Sequence, residues 1–316
     1  MKEVKMTGKA NLAFCGIPTF CRTPQVLSLD DIESDIAILG IPFDEGVGFR
    51  PGTRFGPRSI REYSMRFPCF GSSSADRGYW DIDKRQRFLS NVRMADCGDV
   101  DIVPLDLPYV YRQIDEAMKG ILNKGAFPVV LGGDHSITYP VVRAFEGMGP
   151  LSLIHLDAHL DRRESILGVK YGHGSPIRRI SELDFIETIV SLGMRGLRTP
   201  EKDFLDAEKR GDVLISSRSI QQSGIENTLR QIPNLERCYV TIDIDVLDPS
   251  VAPGTGTPEA DGLSYSCVKD ILWGIAEKSK VVGFDLVEVN PNLDPSGRTS
   301  LIAAQLCLEF LGALFR

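Results

Sequence analysis

Short apolar runs alternate with amphipathic stretches along most of the chain. Seven runs rich in β-branched residues have the length of buried strands: IAILGIP, FPVVLGG, LSLIHL, ETIVSLGM, DVLIS, RCYVTIDI and KVVGFDLV. Between them, LPYVYRQIDEAMKGILNKG carries apolar residues at spacings of three and four, which predicts a helix that ends near Gly125. Strand–helix alternation of this kind predicts a three-layer α/β fold, with helices on both faces of a mostly parallel sheet.

The chain of 316 residues is predicted to be a single domain, because no low-complexity linker and no internal repeat interrupts this pattern. Residues 1–34, which include CGIPTFCRTP, are predicted to form an irregular N-terminal arm. The most apolar segment, TSLIAAQLCLEFLGALF, is short for a membrane span and contains Gln305 and Glu309. It is therefore predicted to be a buried C-terminal helix.

Composition narrows the classes of partner and compartment. A net charge of −7 argues against nucleic acid as a partner, since phosphate binding needs a basic surface. A local basic cluster is predicted to be a solvated or subunit-contacting loop, and it consists of Arg50, Arg54, Arg58 and Arg61. The N-terminus has no apolar stretch of a secretory signal. Seven scattered cysteines without a CxxC pair predict reduced thiols in a cytoplasmic protein.

Polar residues collect where the predicted strands end. In open parallel sheets, function collects in the loops past the carboxyl ends of the strands. The residues delivered there are Asp134 and His135 after FPVVLGG, Asp157, His159 and Asp161 after LSLIHL, Asp243, Asp245 and Asp248 around the end of RCYVTIDI, and Asp285 and Glu288 from KVVGFDLV. This placement predicts a functional site at one edge of the sheet.

Four of these residues form an acidic cluster that requires compensation. Side chains in extended chain alternate with a period of two, so Asp157 and Asp161 project to one side, as do Asp243 and Asp245. Carboxylates about 4 Å apart repel by about 4 kcal/mol per pair at an effective dielectric of about 20. The cluster must therefore protonate or bind cations, and two divalent ions would cancel four negative charges.

The ligand types limit which metal fits. Carboxylates with the two imidazoles of His135 and His159 favour manganese over zinc, while nickel, cobalt and iron stay open. Two metals that share bridging carboxylates would acidify a bridging water toward a pKa of about 7 and supply a hydroxide nucleophile. The site therefore predicts hydrolysis.

Simpler structural roles compete for some residues. Asp134, Asp248 and Asp294 have an alternative interpretation as helix caps. His155 is predicted to face away from the metals, as a packed or supporting residue. The glycine-rich stretches PGTGTPEADG and GVGFRPG lack the phosphate-loop and dinucleotide fingerprints, and they are predicted to be shaped loops near the metals.

Longer motifs resemble a known family. GGDHS (132–136), DAHLD (157–161) and TIDIDVLDPSVAPGTGTPEADGL (241–263) are similar to the three metal-binding signatures of the ureohydrolases, the arginase and agmatinase family. The segments GIPFDEGVGFRPGTRFGPRSIR and VGFDLVEVNPNLDPSGRTS also resemble that family, so that the resemblance runs from about residue 12 to the C-terminus. It implies a sheet of eight parallel strands and assembly as a homotrimer or homohexamer.

The resemblance also implies roles for individual residues. One Mn²⁺ would be held by His135, Asp157, Asp161 and Asp243, and the other by Asp157, His159, Asp243 and Asp245, so that Asp157 and Asp243 bridge the two ions. Asp161 would also hydrogen-bond the bridging hydroxide, Glu288 would hold the substrate guanidinium, and His173 would transfer a proton or steady the substrate.

The substrate is less sharply indicated. The segment RRESILGVKYGHGSPIRR lacks the Asn- and Ser-containing pattern that arginases carry before the histidine, and it resembles agmatinases and guanidino-acid hydrolases. Agmatine, hydrolysed to putrescine and urea, is the first candidate. Arg162 and Arg163 leave a second interpretation open, in which they bind the carboxylate of guanidinobutyrate or guanidinopropionate, and a third, in which they point to solvent. A one-zinc deacetylase and a non-catalytic subunit are the alternatives from other classes.

Overall fold

The computed structural model describes residues 12–67 and 78–316 of the chain. Its strands are β1 (Ile36–Ile41), β2 (Tyr79–Asp81), β3 (Gln86–Phe88), β4 (Met94–Asp99), β5 (Phe127–Gly132), β6 (Leu151–Leu156), β7 (Ile186–Met194), β8 (Val213–Ser216), β9 (Cys238–Asp243) and β10 (Val281–Val287). Eight of them form one sheet in the order β4-β1-β5-β10-β9-β6-β7-β8, and β2 pairs with β3 in a separate hairpin. Every pair in the large sheet is parallel.

Helices connect the parallel strands. They are α1 (Gly56–Ser64), α2 (Leu107–Asn123), α3 (Thr138–Arg143), α4 (Pro176–Ile180), α5 (Glu201–Arg210), α6 (Ser217–Gln231), α7 (Tyr265–Lys278) and α8 (Arg298–Leu314). The N-cap of α2 is Asp106, whose side chain accepts from the Tyr109 N–H at 3.0 Å. Gly125, with a φ of +71°, lies just past the end of α2 in the left-handed region, as the sequence predicted.

Two apolar cores lie on the two faces of the sheet. Successive side chains of β1 alternate between them, with Ile36 and Ile38 in one core and Ala37 and Leu39 in the other. The first core also holds apolar residues of α1, α7 and α8, and the second holds those of α2, α3 and α4. The sequence prediction of a parallel sheet covered on both faces is confirmed.

All seven predicted strands are present, and the sequence analysis predicted neither the hairpin strands β2 and β3 nor the sheet strand β4. Its residues, MADCGD, offer little apolar pattern, and Asp96 within it is buried. The guanidinium of Arg61 stabilises this edge strand, with its Nε 2.8 Å from Asp96 and its Nη1 2.5 Å from Asp99. The prediction that Arg61 belongs to a solvated or subunit-contacting loop is therefore wrong, because this side chain is buried as the partner of two carboxylates.

The predicted C-terminal helix is confirmed as α8, which buries Leu306, Leu308 and Phe310 against the first core. Within residues 12–67 and 78–316, none of the helices combines the length and the apolar character needed to cross a membrane. Four neighbouring strands in the middle of the sheet, β5, β10, β9 and β6, end side by side. Residues that follow these four strands therefore meet in one place.

Candidate active site

The imidazole of His135 faces three carboxylates at the carboxyl edge of the sheet. Its Nδ1 lies 3.0 Å from Asp157 Oδ2, 3.3 Å from Asp161 Oδ2 and 3.3 Å from Asp243 Oδ2. This nitrogen is buried and has no hydrogen-bond partner among the residues that the structure describes. A buried ring nitrogen among carboxylate oxygens has the position of a ligand to a cation.

The other ring nitrogen of His135 defines its tautomer. The hydroxyl of Thr241 donates to Asp285 Oδ1 at 2.5 Å, so it accepts from Nε2 of His135 at 2.9 Å. The proton therefore resides on Nε2 in the neutral ring, and the lone pair of Nδ1 points toward the carboxylates. Asp285, expected at the strand end, is instead buried within β10 behind this histidine.

A second group forms around His159. Its Nδ1 lies 3.3 Å from Asp157 Oδ1 and 3.1 Å from Asp245 Oδ2. Asp157 thus presents one oxygen to each histidine. Among the residues that the structure describes, two groups have atoms close enough together to hold a metal: His135 with His155, Asp157 and Asp161, and Asp157 with His159 and Asp245.

Backbone N–H groups orient these carboxylates. Asp157 Oδ1 accepts from His159 N at 2.6 Å, Asp243 Oδ1 accepts from Asp245 N at 2.8 Å, and Asp245 Oδ1 accepts from Ala158 N at 3.1 Å. Each of these three aspartates therefore has one oxygen bonded to a backbone N–H of its own or a neighbouring loop, and this bond fixes the direction of the carboxylate. Such pre-orientation lowers the cost of gathering four acids in one place.

His155 does not face away from the cluster, and that prediction is wrong. Its Nε2 lies 2.8 Å from Asp157 Oδ2, and its Nδ1 lies 3.1 Å from Ser191 Oγ. The period of two places His155 on the same side of the strand end as Asp157, which is two residues further on. It is fully buried and supports Asp157 directly, as the packed or supporting role predicted.

Electrostatics show that the cluster holds protons when no cation is bound. Burial and the nearby charge of Asp157 raise the pKa of Asp161 to about 8, and burial raises the pKa of Asp243 well above its usual range. At His135, burial opposes the charged ring, but the neighbouring carboxylates outweigh it and raise the pKa well above the ordinary value. At Asp157, burial is likewise outweighed, by His155 and His135, and the pKa is lowered well below its usual value.

The donor set fits a pair of divalent ions. It is rich in carboxylate oxygen, it has two imidazoles in the first group and one in the second, and no cysteine of the described residues takes part. Nδ1 of His135 supplies a further sign, since it is buried and faces the oxygens of three carboxylates within 3.3 Å.

A cavity of about 220 Å³ opens beside the cluster. The side chains that line it include Asp161, Asp243, Glu288, His173, Thr257, Arg163, Arg198, Thr199 and Asp203. The carboxylate of Glu288 is buried, Arg163 is half-exposed and Arg198 is exposed. The cavity therefore runs from an acidic, buried end to an exposed end that carries arginines.

Glu288 presents a free oxygen to this cavity. Its Oε1 accepts from the backbone N–H of His135 at 3.0 Å and lies 3.1 Å from His173 Nδ1. Its Oε2 is buried and has no hydrogen-bond partner within the described part of the chain. Glu288 also adopts a φ of +65°, which is uncommon outside glycine and marks a backbone constrained for a purpose.

His173 is placed by two contacts. Gly48 N–H donates to its Nε2 at 3.1 Å, and its Nδ1 then donates to Glu288. Burial opposes the charged ring, but the bond to Glu288 outweighs it and raises the pKa of His173 to about 9, whereas the Gly48 contact favours the neutral ring. The predicted glycine-rich loops do lie near the cluster, since Gly48 contacts His173 and Thr257 lines the cavity.

Arg163 and Arg198 reach the exposed end of the cavity, whereas Arg162 does not. Arg162 is buried and pairs with Asp212 at 2.5 Å, so the alternative in which it points to solvent is wrong. Arg163 lines the cavity with its Nε 3.9 Å from Asp203 Oδ2. Arg198 follows β7, and sequence reasoning missed it because the loop RGLRTP carries no motif. Its place past the carboxyl end of a strand was the available signal.

The helix-cap interpretation is confirmed for Asp134, the N-cap of the short helix His135–Ile137, whereas Asp248 bonds within a turn and Asp294 bonds the first turn of α8 without being its N-cap. Asp134 accepts from Ser136 N at 2.9 Å and from Gly46 N at 2.8 Å. Asp248 accepts from Ser250 N at 2.9 Å. Asp294 accepts from the N–H and the hydroxyl of a single threonine in α8, at 2.7 Å and 2.8 Å. These side chains shape the loops around the site.

The open parallel sheet and the buried histidine–carboxylate cluster define an α/β protein with a candidate metal centre at the carboxyl edge of its sheet. Residues 34–312 match the arginase family. The chain is 36% identical over 305 residues to the mitochondrial guanidino acid hydrolase of Homo sapiens, and the aligned region covers 95% of this chain and 83% of that protein. It is 38% identical over 288 residues to agmatinase of Bacillus anthracis, and the aligned region covers 88% of this chain and 91% of that protein.

Comparison with solved structures also finds a similar enzyme. Proclavaminate amidino hydrolase from Streptomyces clavuligerus superimposes with a TM-score of 0.85 and 32% identity, covering 96% of this chain and 98% of that one. The chain belongs to the arginase family. It is a hydrolase of guanidino compounds.

Proposed function

We propose that this protein hydrolyses a small linear guanidino compound to urea and an amine with the help of two divalent ions, manganese by preference. The observation that carries the proposal is a pair of buried, unpartnered atoms at the same site, Nδ1 of His135 and Oε2 of Glu288. The first has the position of a metal ligand, and the second has the position of an acceptor for a guanidinium N–H.

One ion would be held by His135, Asp157, Asp161 and Asp243, and the other by Asp157, His159, Asp243 and Asp245. The placement of Asp157 between both histidines supports its bridging role. When bound, a pair of divalent ions supplies Lewis acidity that makes hydroxide available near neutral pH.

The protein's own residues then complete the reaction. The buried carboxylate of Glu288 holds and orients the planar guanidinium, whose resonance makes its carbon a poor electrophile. Asp161 accepts a hydrogen bond from the attacking water. The water oxygen bonds to the guanidinium carbon, and the two protons of the water leave by way of Asp161 and His173. The bond from this carbon to the substituted nitrogen breaks, and both protons end on the departing amine. Urea and a protonated amine result, so that atoms and charge balance.

The exposed end of the cavity favours a guanidino acid. Arg163 and Arg198 bring two positive charges there, and Asp203 brings one negative charge. A guanidino acid such as guanidinobutyrate carries a cation at one end and a carboxylate at the other, which matches this polarity. Agmatine, the first candidate from the sequence, remains the second candidate because Asp203 offers its ammonium group an acceptor.

A substrate panel tests the proposal. Purified protein loaded with Mn²⁺, or with Ni²⁺ in parallel, is incubated with agmatine, arginine, guanidinobutyrate, guanidinopropionate and guanidine, and urea is measured. We expect release from guanidinobutyrate or guanidinopropionate to exceed release from agmatine and arginine. Urea from agmatine alone would overturn the preference for an acid, and urea from none of them would overturn the proposed activity.

The proposal includes a cytoplasmic homotrimer or homohexamer. Cys15, Cys97, Cys238, Cys267 and Cys307 are free thiols, which supports a reducing compartment. Exposed apolar side chains such as Leu105 (94% exposed) and Phe14 (84% exposed) support association between subunits. Light scattering on the purified protein measures the subunit number.

A further inference from the structure

His159 divides its two ring nitrogens between the metal cluster and a carboxylate outside it. Its Nδ1 faces Asp157 and Asp245, as described above. Its Nε2 lies 3.4 Å from Oε1 of Glu259, within ion-pair distance. A histidine that binds a metal through one nitrogen commonly donates its other N–H to a carboxylate, which fixes the ring orientation and raises its basicity as a ligand.

The surroundings of Glu259 bring it to this ring. A Cβ at Gly196 would lie 3.0 Å from Cδ2 of His159 and 3.5 Å from Oε1 of Glu259, so only glycine leaves the two side chains this room. The backbone beside Glu259 is held by Arg195, whose Nη2 donates to Glu259 O at 2.9 Å and to Asp245 O at 2.7 Å. One guanidinium thus ties the loop of Glu259 to the loop of a proposed metal ligand.

The same loop reaches a second ligand of the same ion. Thr257 Oγ1 donates to Asp245 Oδ2 at 3.4 Å. The segment from Thr257 to Glu259 therefore contacts the two residues, Asp245 and His159, that belong only to the outer of the two proposed ion positions. His135, at the inner position, is supported from within the core by Thr241, and its side chain is 1% exposed, against 19% for His159.

We propose that Glu259, with its loop held by Arg195, is a positioning residue that orients His159 and thereby retains the outer metal ion. The inference rests on the proposed two-ion function and adds an asymmetry to it. The inner position is supported by the buried Thr241–Asp285 pair, and the outer position by a carboxylate whose side chain is 24% exposed.

The test measures metal retention rather than turnover. Wild-type protein, Glu259→Ala, Glu259→Gln and the control Glu208→Ala, which changes an exposed acid on α5, are loaded with Mn²⁺ and dialysed against a graded series of chelator concentrations. Bound manganese is counted per chain, and electron paramagnetic resonance distinguishes coupled ion pairs from isolated ions. Thermal melting of each metal-free variant reports whether it is folded.

We expect Glu259→Ala to lose one of its two ions at free Mn²⁺ concentrations about 10- to 100-fold higher than the wild type does, while the second ion is retained. Glu259→Gln, which keeps an acceptor, should lie between the two, and Glu208→Ala should match the wild type. Gly196→Ala, which leaves Glu259 in place but pushes the His159 ring, should lose the same ion.

The outcomes separate this inference from the proposed function. A wild type that never binds two ions contradicts the proposed function itself. A wild type that binds two ions, with Glu259→Ala and Glu259→Gln retaining both as tightly, overturns the role of Glu259. If Glu259→Ala does not fold, the comparison of Glu259→Gln and Gly196→Ala with the wild type decides in the same way.

Discussion

The hydroxyl of Thr241 lies 2.9 Å from Nε2 of His135 and donates to Asp285 Oδ1 at 2.5 Å. This relation fixes the imidazole with its other nitrogen toward three carboxylates. All three residues are buried, so the orientation of the ring cannot relax by contact with solvent. Preparing a ligand before the ion arrives reduces the reorganisation that binding would otherwise require.

Thr241→Val is the direct test of this relation. Valine keeps the shape and removes the acceptor, so Nε2 of His135 loses its partner and the ring loses its fixed tautomer. We expect the affinity for Mn²⁺ to fall about 10- to 100-fold, measured by chelator competition. Thr228→Val removes a buried hydroxyl that bonds Ser223 and Gly224 of the same helix, α6. This variant should leave the affinity unchanged. Equal affinities in both variants would contradict the role of Thr241.

Glu288→Gln separates substrate binding from metal binding. The glutamine keeps the size of the side chain but removes the negative charge that faces the guanidinium. Charged hydrogen bonds contribute about 1.5–3 kcal/mol, so kcat/KM should fall about 10- to 150-fold. The manganese content should stay at the wild-type value, because Glu288 is not among the proposed ligands. Glu309→Gln in α8 is the matched control. A Glu288→Gln protein that loses its metal instead would place this residue among the ligands.

Substrate selection is expected to depend on the arginines at the exposed end of the cavity. Arg198→Ala should raise KM for guanidinobutyrate about 3- to 10-fold, a modest effect because the side chain is exposed and its charge is screened. KM for agmatine should stay level or decrease. Arg218→Ala, an exposed arginine on α6, serves as the control. A proportional rise of KM for both substrates would show that Arg198 does not recognise a carboxylate.

Metal and protons should compete at this site. In the folded metal-free protein, burial and Asp157 raise the pKa of Asp161 to about 8, and the bond of His173 to Glu288 outweighs burial and raises the pKa of that ring to about 9. The folded state therefore holds protons that the unfolded chain has released. Linkage requires the free energy of unfolding to fall as pH rises from about 7 to about 9, by about 1.4 kcal/mol per pH unit for each proton retained.

Bound cations replace those protons, so the rise in melting temperature that Mn²⁺ produces should be larger at pH 9 than at pH 7. Calorimetry of metal-free and manganese-loaded protein across this interval measures the difference. A rise in melting temperature that does not change with pH would contradict the raised pKa values. Lys202→Ala, which breaks an exposed ion pair with Asp206 on α5, should leave the trend intact.

The ends of the strands that build the site could be predicted from the sequence, because the local pattern of apolar and polar residues indicates where each strand ends. Apolar runs of strand length fixed where β5, β6 and β9 end, and the period of two fixed which side chains share a side. His155 obeys the same period, so its contact with Asp157 was accessible from the sequence and was predicted wrongly.

Other features required the fold. Arg198 lies in a loop without a local signal, and the glycine-rich loop of Glu259 was predicted to lie near the metals without a role for this residue. Both reach the site because β7 and β9 lie on either side of β6. Buried ion pairs were likewise hidden, since Arg61 meets Asp96 across 35 positions of sequence. Adjacency of this kind depends on strand order, which the spacing of residues along the chain does not encode.

The manganese content of wild-type and Asp243→Ala protein, measured after loading and dialysis together with urea release, tests most directly whether the buried acids hold a pair of ions. We expect two ions per chain and urea release in the wild type, and the loss of both bound metal and turnover in Asp243→Ala. Wild-type protein that stays empty in excess manganese, or Asp243→Ala protein that keeps both ions and substantial activity, would contradict the proposed centre.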